Sequence, residues 1–153
     1  MVGTEARFSR VCASHANARA LTPTDRHLSD AVIRAIAERG GVIGLVLYNG
    51  FLEPGWKGDR SVSVTLDEHL RLHADHVAHV CGWRHLGIGS DLDGGFGLEE
   101  SPSEMDTVAD LHKVGGVTRR GSSGGTKRQL AELPQIFVAA NLVTAHWRRN
   151  ETG

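Results

Sequence analysis

Hydrophobic residues along the chain fall into two kinds of segment that alternate. Continuous apolar runs occupy residues 11–14, 42–48 and 85–90, and each has the length of a strand buried on both faces. Between them, residues 30–39 and 65–81 carry apolar side chains at every third or fourth position, which is the period of an amphipathic helix. This β-α-β-α-β order predicts parallel strands joined by helical crossovers.

The ends of the two helices are also encoded locally. Ser29 and Thr65 stand at N-cap positions, and Glu68 forms a capping box with Thr65. Gly40 and Gly82 follow the last apolar positions, so we expect both helices to end there.

The last third of the chain has a weaker pattern. Residues 106–114 have helical spacing, residues 116–126 are rich in Gly and Ser, and residues 127–150 are amphipathic with Pro134 inside. We therefore expect a helix, a flexible turn and a closing helix, all within a single domain over residues 1–153.

Composition and charge exclude some kinds of binding partner. The chain has 153 residues and a net charge of −1 without long charged blocks, so nucleic acid and anionic membranes are not expected partners. It has neither a membrane segment nor a signal-like stretch, and we expect a cytoplasmic protein. Cys12 and Cys81 lie in or next to apolar segments, which predicts two buried free thiols.

Residues capable of chemistry follow the apolar runs. His15 follows the first run, Tyr48 and Asn49 follow the second, and Asp91 follows the third. The carboxyl ends of neighbouring parallel strands converge on one edge of a sheet. A His and an Asp at two such ends suggest a metal-assisted hydrolytic site, but the pair alone cannot complete one.

Four histidines crowd the longer predicted helix at spacings of three or four: His69, His73, His76 and His79. Such spacings can place two imidazoles on one metal. No Glu follows the first His as in His-Glu-x-x-His, and no acidic partner is evident nearby. The pattern favours partly exposed helix histidines over a metal site.

The segment GIGSDLDGG at residues 87–95 resembles two other motifs. Leu92 replaces the third Gly of a dinucleotide fingerprint, and Pro102 occupies the position of the bidentate Glu in a calcium loop. The glycines instead favour a sharp backbone turn that leaves Asp91 at the strand end and Asp93 in the turn.

Taken in order, five segments carry a family resemblance. They are ASHANARAL at 13–21, DRHLSD at 25–30, RAIAERGGVIG at 34–44, DHVAHV at 75–80 and GSDLDG at 89–94. The series resembles the carboxyl-terminal half of the membrane dipeptidase (renal dipeptidase) family, the M19 zinc peptidases, over residues 10–115. The resemblance implies an α/β fold, here a partial (β/α)8 TIM-barrel-like hydrolase with three to four βα units.

The resemblance also implies roles for individual residues. His15 matches the last of the family's metal-binding histidines, Arg26 the substrate-binding Arg, and Asp91 the acidic group that handles the proton. Phe51 matches a Tyr that holds the dipeptide's carboxylate in some members, so that hydroxyl is missing here. The implied cofactor is zinc, as two ions in the complete site, and the implied substrate is a small dipeptide.

One departure limits these expectations. The chain begins just before the strand that carries His15, and the family's other metal ligands have no counterpart. We therefore expect a truncated product that is inactive alone, whose partner is the missing barrel half or a second copy of the chain. The alternatives are a non-catalytic α/β module that binds a partner protein through its sheet edge, and a small nucleotide-binding domain.

Overall fold

A parallel sheet forms the centre of the protein. The computed structural model describes residues 11–58, 62–92 and 95–121. Its three strands are β1 (Cys12–Ala13), β2 (Val42–Leu45) and β3 (Leu86–Ile88), in the order β1-β2-β3 with both pairs parallel. The predicted parallel β-α-β-α-β core is confirmed, with strands shorter than the apolar runs.

Helical segments connect and follow the strands. They are α1 (Asp30–Glu38), α2 (Asn49–Leu52), α3 (Arg71–Cys81) and α4 (Leu111–Gly121). A π-helical turn, Leu66–Leu70, leads into α3, and single 3₁₀ turns occupy Trp83–His85, Leu98–Glu100 and Val108–Asp110. None of the described helices has the length and hydropathy needed to cross a membrane.

The core forms where the helices cover the sheet. Ile33 of α1, Ile43 of β2 and Val77 of α3 are completely buried in one cluster. Removing such side chains from water is the main favourable term in folding. A polar contact also joins the two crossover helices, because His76 Nε2 lies 2.8 Å from Asp30 Oδ1.

Most of the predicted helix ends are present. The Thr65 hydroxyl accepts a hydrogen bond from the Glu68 backbone N–H at 3.3 Å. Ser29 stands at the N-cap of α1, but its side chain makes no capping hydrogen bond. Gly40 and Gly82 follow their helices with φ angles of 66° and 92°, a left-handed backbone that glycine adopts without strain.

Two sequence-based expectations are wrong. Both cysteines are free, as expected, but neither is fully buried. Cys12 is exposed on β1, a terminal strand of the described sheet, and Cys81 is partly buried at the last residue of α3. α4 extends to Gly121, so the first residues of the turn expected at 116–126 are helical, and the buried Val117 continues the apolar face of that helix. The rest of that turn and the closing helix at 127–150 lie outside the described residues.

Candidate active site at the carboxyl ends of the strands

A close backbone contact places His15 at the carboxyl ends of the strands. We call this contact, between the Ser14 carbonyl and two glycines, the crossing. The Ser14 carbonyl passes so close to two glycines that an added Cβ would lie 2.2 Å from its oxygen at Gly44 and 1.7 Å from it at Gly89. Only residues without a side chain allow this approach. The crossing brings His15 near Gly89, two positions before Asp91, and gives this glycine a packing role.

The His15 side chain is partly buried. Its Nδ1 lies 2.9 Å from the Ser14 hydroxyl oxygen. A hydrogen bond at one ring nitrogen orients an imidazole and leaves the other nitrogen as the metal-binding atom. In His15 that other atom is Nε2.

Asp91 has a left-handed backbone conformation. Its φ of 59° makes it the one non-glycine residue with positive φ in the described ranges. The backbone just before it is fixed to β2, because Gly89 N–H donates to Leu45 O at 3.0 Å and Leu47 N–H donates to Ser90 O at 3.2 Å. A left-handed conformation of this kind costs about 1–3 kcal/mol and is concentrated at functional sites.

Arg26 and Phe51 meet in the same region. The exposed Arg26 guanidinium carbon lies 5.9 Å from the centroid of the Phe51 ring. The ring is itself held edge-on by Tyr48, at 5.0 Å between centroids, and by His27, at 4.9 Å. Stacking on an aromatic face orients a guanidinium, whose parallel N–H groups match a carboxylate.

Asn17 is the important residue that the sequence reasoning missed. It is fully buried, and its Oδ1 accepts the Val46 N–H at 2.8 Å. Its Nδ2 donates to Val46 O at 3.2 Å and to Phe51 O at 3.4 Å. The side chain therefore ties the His15 loop to the end of β2 and to the ring beneath Arg26. In the sequence, the only indication of its importance is that it lies within residues 13–21, the first segment of the family resemblance.

The helix histidines support the structure around this loop. His73 Nδ1 accepts the Ala18 N–H at 3.1 Å, which puts its proton on Nε2, 3.4 Å from the Thr22 hydroxyl. His69 Nδ1 accepts the Thr65 N–H at 3.1 Å, and its Nε2 lies 3.3 Å from Glu53. The expectation of partly exposed histidines is wrong for His69 and His73, which are buried.

The buried His73 predicts that acid destabilises the protein. Burial, as the largest cause, lowers its pKa from 6.5 to about 4. The unfolded chain binds this proton more tightly than the folded protein does. The stability that neutral His73 contributes is therefore complete above pH 6.5 and is lost as pH falls toward 4. The loss is roughly 3 kcal/mol in the free energy of unfolding. Burial lowers the pKa of His27 too, which acts in the same direction.

Urea denaturation at pH 7.5 and pH 4.5 measures this effect. We expect His73→Gln to reduce the difference between the two pH values, whereas His79→Gln, at an exposed position of the same helix, leaves it as in the wild type. A wild-type stability that is equal at both pH values contradicts the assignment.

The metal donors in this region are few. In the described part of the chain, no three His, Cys, Asp or Glu side chains come together as a metal site. Metal sites in proteins ordinarily use three or four protein ligands. The described residues alone therefore do not form a complete zinc centre.

Comparison with known proteins identifies the family. The sequence model of the membrane dipeptidase family, peptidase family M19, matches residues 8–122. The chain belongs to this family. Over 106 residues it is 35% identical to an uncharacterized protein in the pqqA 5′ region of Klebsiella pneumoniae, covering 69% of this chain and 36% of that protein.

A second relative is named as a dipeptidase. An uncharacterized dipeptidase of Schizosaccharomyces pombe is 35% identical over 100 residues, covering 63% of this chain and 21% of the relative. The chain therefore spans about a third or less of the length of these two relatives.

Solved structures of metallopeptidases share the fold. A metallo peptidase from Rhodobacter sphaeroides, bound to a phosphinate mimic of the dipeptide L-Ala-D-Ala, superposes with a TM-score of 0.64 at 28% identity, over 82% of this chain and 33% of that one. A dipeptidase described as an M19 metallo peptidase gives a TM-score of 0.63 at 31% identity, over 81% and 34%. The predicted family and the partial TIM-barrel-like α/β fold are confirmed.

Proposed function

We propose that this chain serves in the hydrolysis of small dipeptides as a hydrolase of the M19 family. The observation that carries the proposal is the crossing of Ser14 over Gly44 and Gly89. It brings the residue before His15 against the backbone two positions before Asp91, which supports a shared site. Metal-donating and proton-accepting groups at the carboxyl ends of parallel strands can together support metal-assisted peptide hydrolysis.

Arg26 is the residue that we assign to substrate recognition. Its guanidinium, supported on the Phe51 ring, can bind a carboxylate through two parallel charge-assisted hydrogen bonds. In a dipeptide this carboxylate belongs to the residue directly after the scissile bond, so Arg26 favours free dipeptides over internal peptide bonds. Because Phe51 has no hydroxyl that could bind the dipeptide's carboxylate, Arg26 supplies a larger share of that binding.

Asp91 is the residue that we assign to proton transfer. An ionised carboxylate at the end of β3 can take a proton from the attacking water and deliver it to the leaving amine. The left-handed backbone at this position turns the chain sharply where the strand ends. This turn fixes the direction in which the carboxylate leaves the backbone.

Zinc is the proposed cofactor, with His15 Nε2 as one ligand. Zinc, once bound by a complete set of ligands, would supply an activated water and would polarise the peptide carbonyl. The remaining donors must come from residues outside the described ranges or from another polypeptide, since the described residues do not form a complete set.

Binding of free and blocked dipeptides tests the proposal. In calorimetric titrations we expect Ala-Ala to bind more tightly than its C-terminally amidated form, and Arg26→Gln to abolish that preference. Loss of charge-assisted hydrogen bonds corresponds to a roughly tenfold to hundredfold weaker affinity.

The control is Arg34→Gln, at an exposed position of α1 away from the strand ends, and we expect it to bind as the wild type does. Equal affinity for the free and amidated dipeptides in the wild-type chain contradicts the assignment of Arg26.

A further inference from the structure

Aromatic residues concentrate at the carboxyl ends of the strands. Four of the five Phe, Tyr and Trp residues in the described ranges form one contact cluster, and the fifth, Trp83, lies before β3. We call this cluster the aromatic patch, and its members are Tyr48, Phe51, Trp56 and Phe96. Tyr48 is its centre, with ring centroids 5.0 Å from Phe51, 5.7 Å from Trp56 and 5.0 Å from Phe96. The loops that follow β2 and β3 therefore meet through aromatic side chains.

The central ring of the patch is held in a defined orientation. A Cβ at Gly50 would lie 2.7 Å from Tyr48 Cε1 and 3.1 Å from the Tyr48 hydroxyl oxygen, so this ring lies directly over the Gly50 backbone. Phe51 packs against the same ring at an interplanar angle of 88°. Rings that are already fixed in place lower the entropic cost of binding a ligand against them.

The patch keeps part of its apolar surface accessible. All four of its rings are only partly buried, whereas the neighbouring Leu47 and Leu52 are buried in the core. Small-molecule sites are lined mainly by apolar and aromatic side chains, with a few polar groups that fix the orientation of the ligand. The patch therefore offers surface that a ligand at the strand ends can cover.

Arg26 joins the aromatic patch to the proposed dipeptide site. Its guanidinium carbon lies 5.9 Å from the centroid of the Phe51 ring. In a dipeptide, the Cβ of the carboxyl-terminal residue is only about 2.5 Å from the carboxylate carbon. A carboxylate held by Arg26 therefore brings that side chain within reach of Phe51 and Tyr48. Because Phe51 carries no hydroxyl, it presents apolar surface to this side chain.

The charge beside the patch favours a neutral side chain on the dipeptide. A lysine side chain at the carboxyl-terminal residue would lie next to the positive charge of Arg26, which repels it. An acidic side chain would lose hydration against the rings. An aromatic or large aliphatic side chain avoids both costs.

We propose that the aromatic patch is the specificity surface for the carboxyl-terminal residue, and that it selects dipeptides ending in an aromatic or large aliphatic residue. The inference rests on the proposed function, because Arg26 must first hold the carboxylate. Aromatic pairs prefer edge-to-face or offset packing with centroids about 4.5–7 Å apart. Tyr48 already packs on its neighbours at 5.0–5.7 Å, so a substrate ring can extend the same packing.

Calorimetric titration of the wild-type chain with a series of dipeptides tests the substrate class. The series is Ala-Ala, Ala-Leu, Ala-Phe, Ala-Lys and Phe-Ala, the last being an isomer of Ala-Phe. We expect Ala-Phe to bind roughly tenfold more tightly than Ala-Ala, with Ala-Leu between them. We expect Phe-Ala and Ala-Lys to bind more weakly than Ala-Phe. Equal affinity of Ala-Phe and any one of Ala-Ala, Phe-Ala or Ala-Lys overturns the proposal.

Two aromatic-to-alanine variants test the location. Phe96→Ala is expected to reduce the preference for Ala-Phe over Ala-Ala by roughly two- to tenfold. Trp83→Ala is the matched control, because Trp83 is also partly buried but lies outside the patch, and the preference should stay as in the wild type. Circular dichroism and thermal melting establish that each variant is folded before titration. An unchanged preference in folded Phe96→Ala overturns the proposal, and the wild-type series decides without any variant.

C-terminally amidated dipeptides separate this inference from the proposed function. If free Ala-Ala binds more tightly than its amide while Ala-Phe binds no better than Ala-Ala, Arg26 keeps its assigned role and only the role of the patch is wrong. If Ala-Phe and its amide bind equally, the carboxylate is not recognised, and the proposed function fails together with the inference.

Discussion

Gly89→Ala is expected to lower the free energy of unfolding by about 3 kcal/mol or more. The new Cβ would lie 1.7 Å from the Ser14 carbonyl oxygen. That neighbour is backbone rather than a flexible side chain, so β1 must move away from β3. Because His15 follows Ser14 directly, the same displacement also moves His15.

Urea denaturation monitored by circular dichroism measures the change. Gly116→Ala provides a matched control, because a Cβ at Gly116 meets no atom within 4 Å and the residue lies inside α4. Replacing a glycine there by alanine should stabilise the protein by roughly 0.5–1 kcal/mol. The two glycine-to-alanine changes therefore have opposite expected signs. An unchanged midpoint for Gly89→Ala would show that the crossing does not require glycine.

Asn17→Ala is expected to have a comparably large effect, about 2–4 kcal/mol of lost stability. It removes three hydrogen bonds, two to the backbone of Val46 and one to Phe51 O. The Val46 N–H is then left buried without its acceptor, which costs more than losing an exposed hydrogen bond. Displacement of Phe51 should also weaken dipeptide binding, because this ring lies beneath Arg26.

Thr24→Ala is the control for this prediction, since Thr24 is an exposed residue of the same loop. Chemical denaturation and the dipeptide titration described above are applied to both variants. Were Asn17→Ala as stable as Thr24→Ala, the three hydrogen bonds would not contribute appreciably to stability.

Features set by short stretches of sequence could be predicted. The apolar runs gave the three parallel strands, and Thr65 and Glu68 gave the start of the helical segment before α3. His15 and Asp91 lie after β1 and β3, as expected from their positions after apolar runs. Whether they and Arg26 act as assigned stays a prediction.

Features that depend on distant segments could not be predicted. Asp30 and Glu53 provide the acidic neighbours that the helix histidines lacked in the sequence. Those carboxylates belong to other elements, and nothing near His69 or His76 in the sequence indicates that folding brings them within hydrogen-bonding reach.

The sequence by itself determined the order of strands and helices, most of their ends and the family, because periodicity, caps and ordered motifs are properties of local segments. Only the tertiary structure decided which groups meet. Asn17 reaches Val46 across 29 positions and His73 reaches Ala18 across 55. Such contacts follow from packing of the helices on the sheet, where a buried polar group must find a partner from whichever segment lies beside it.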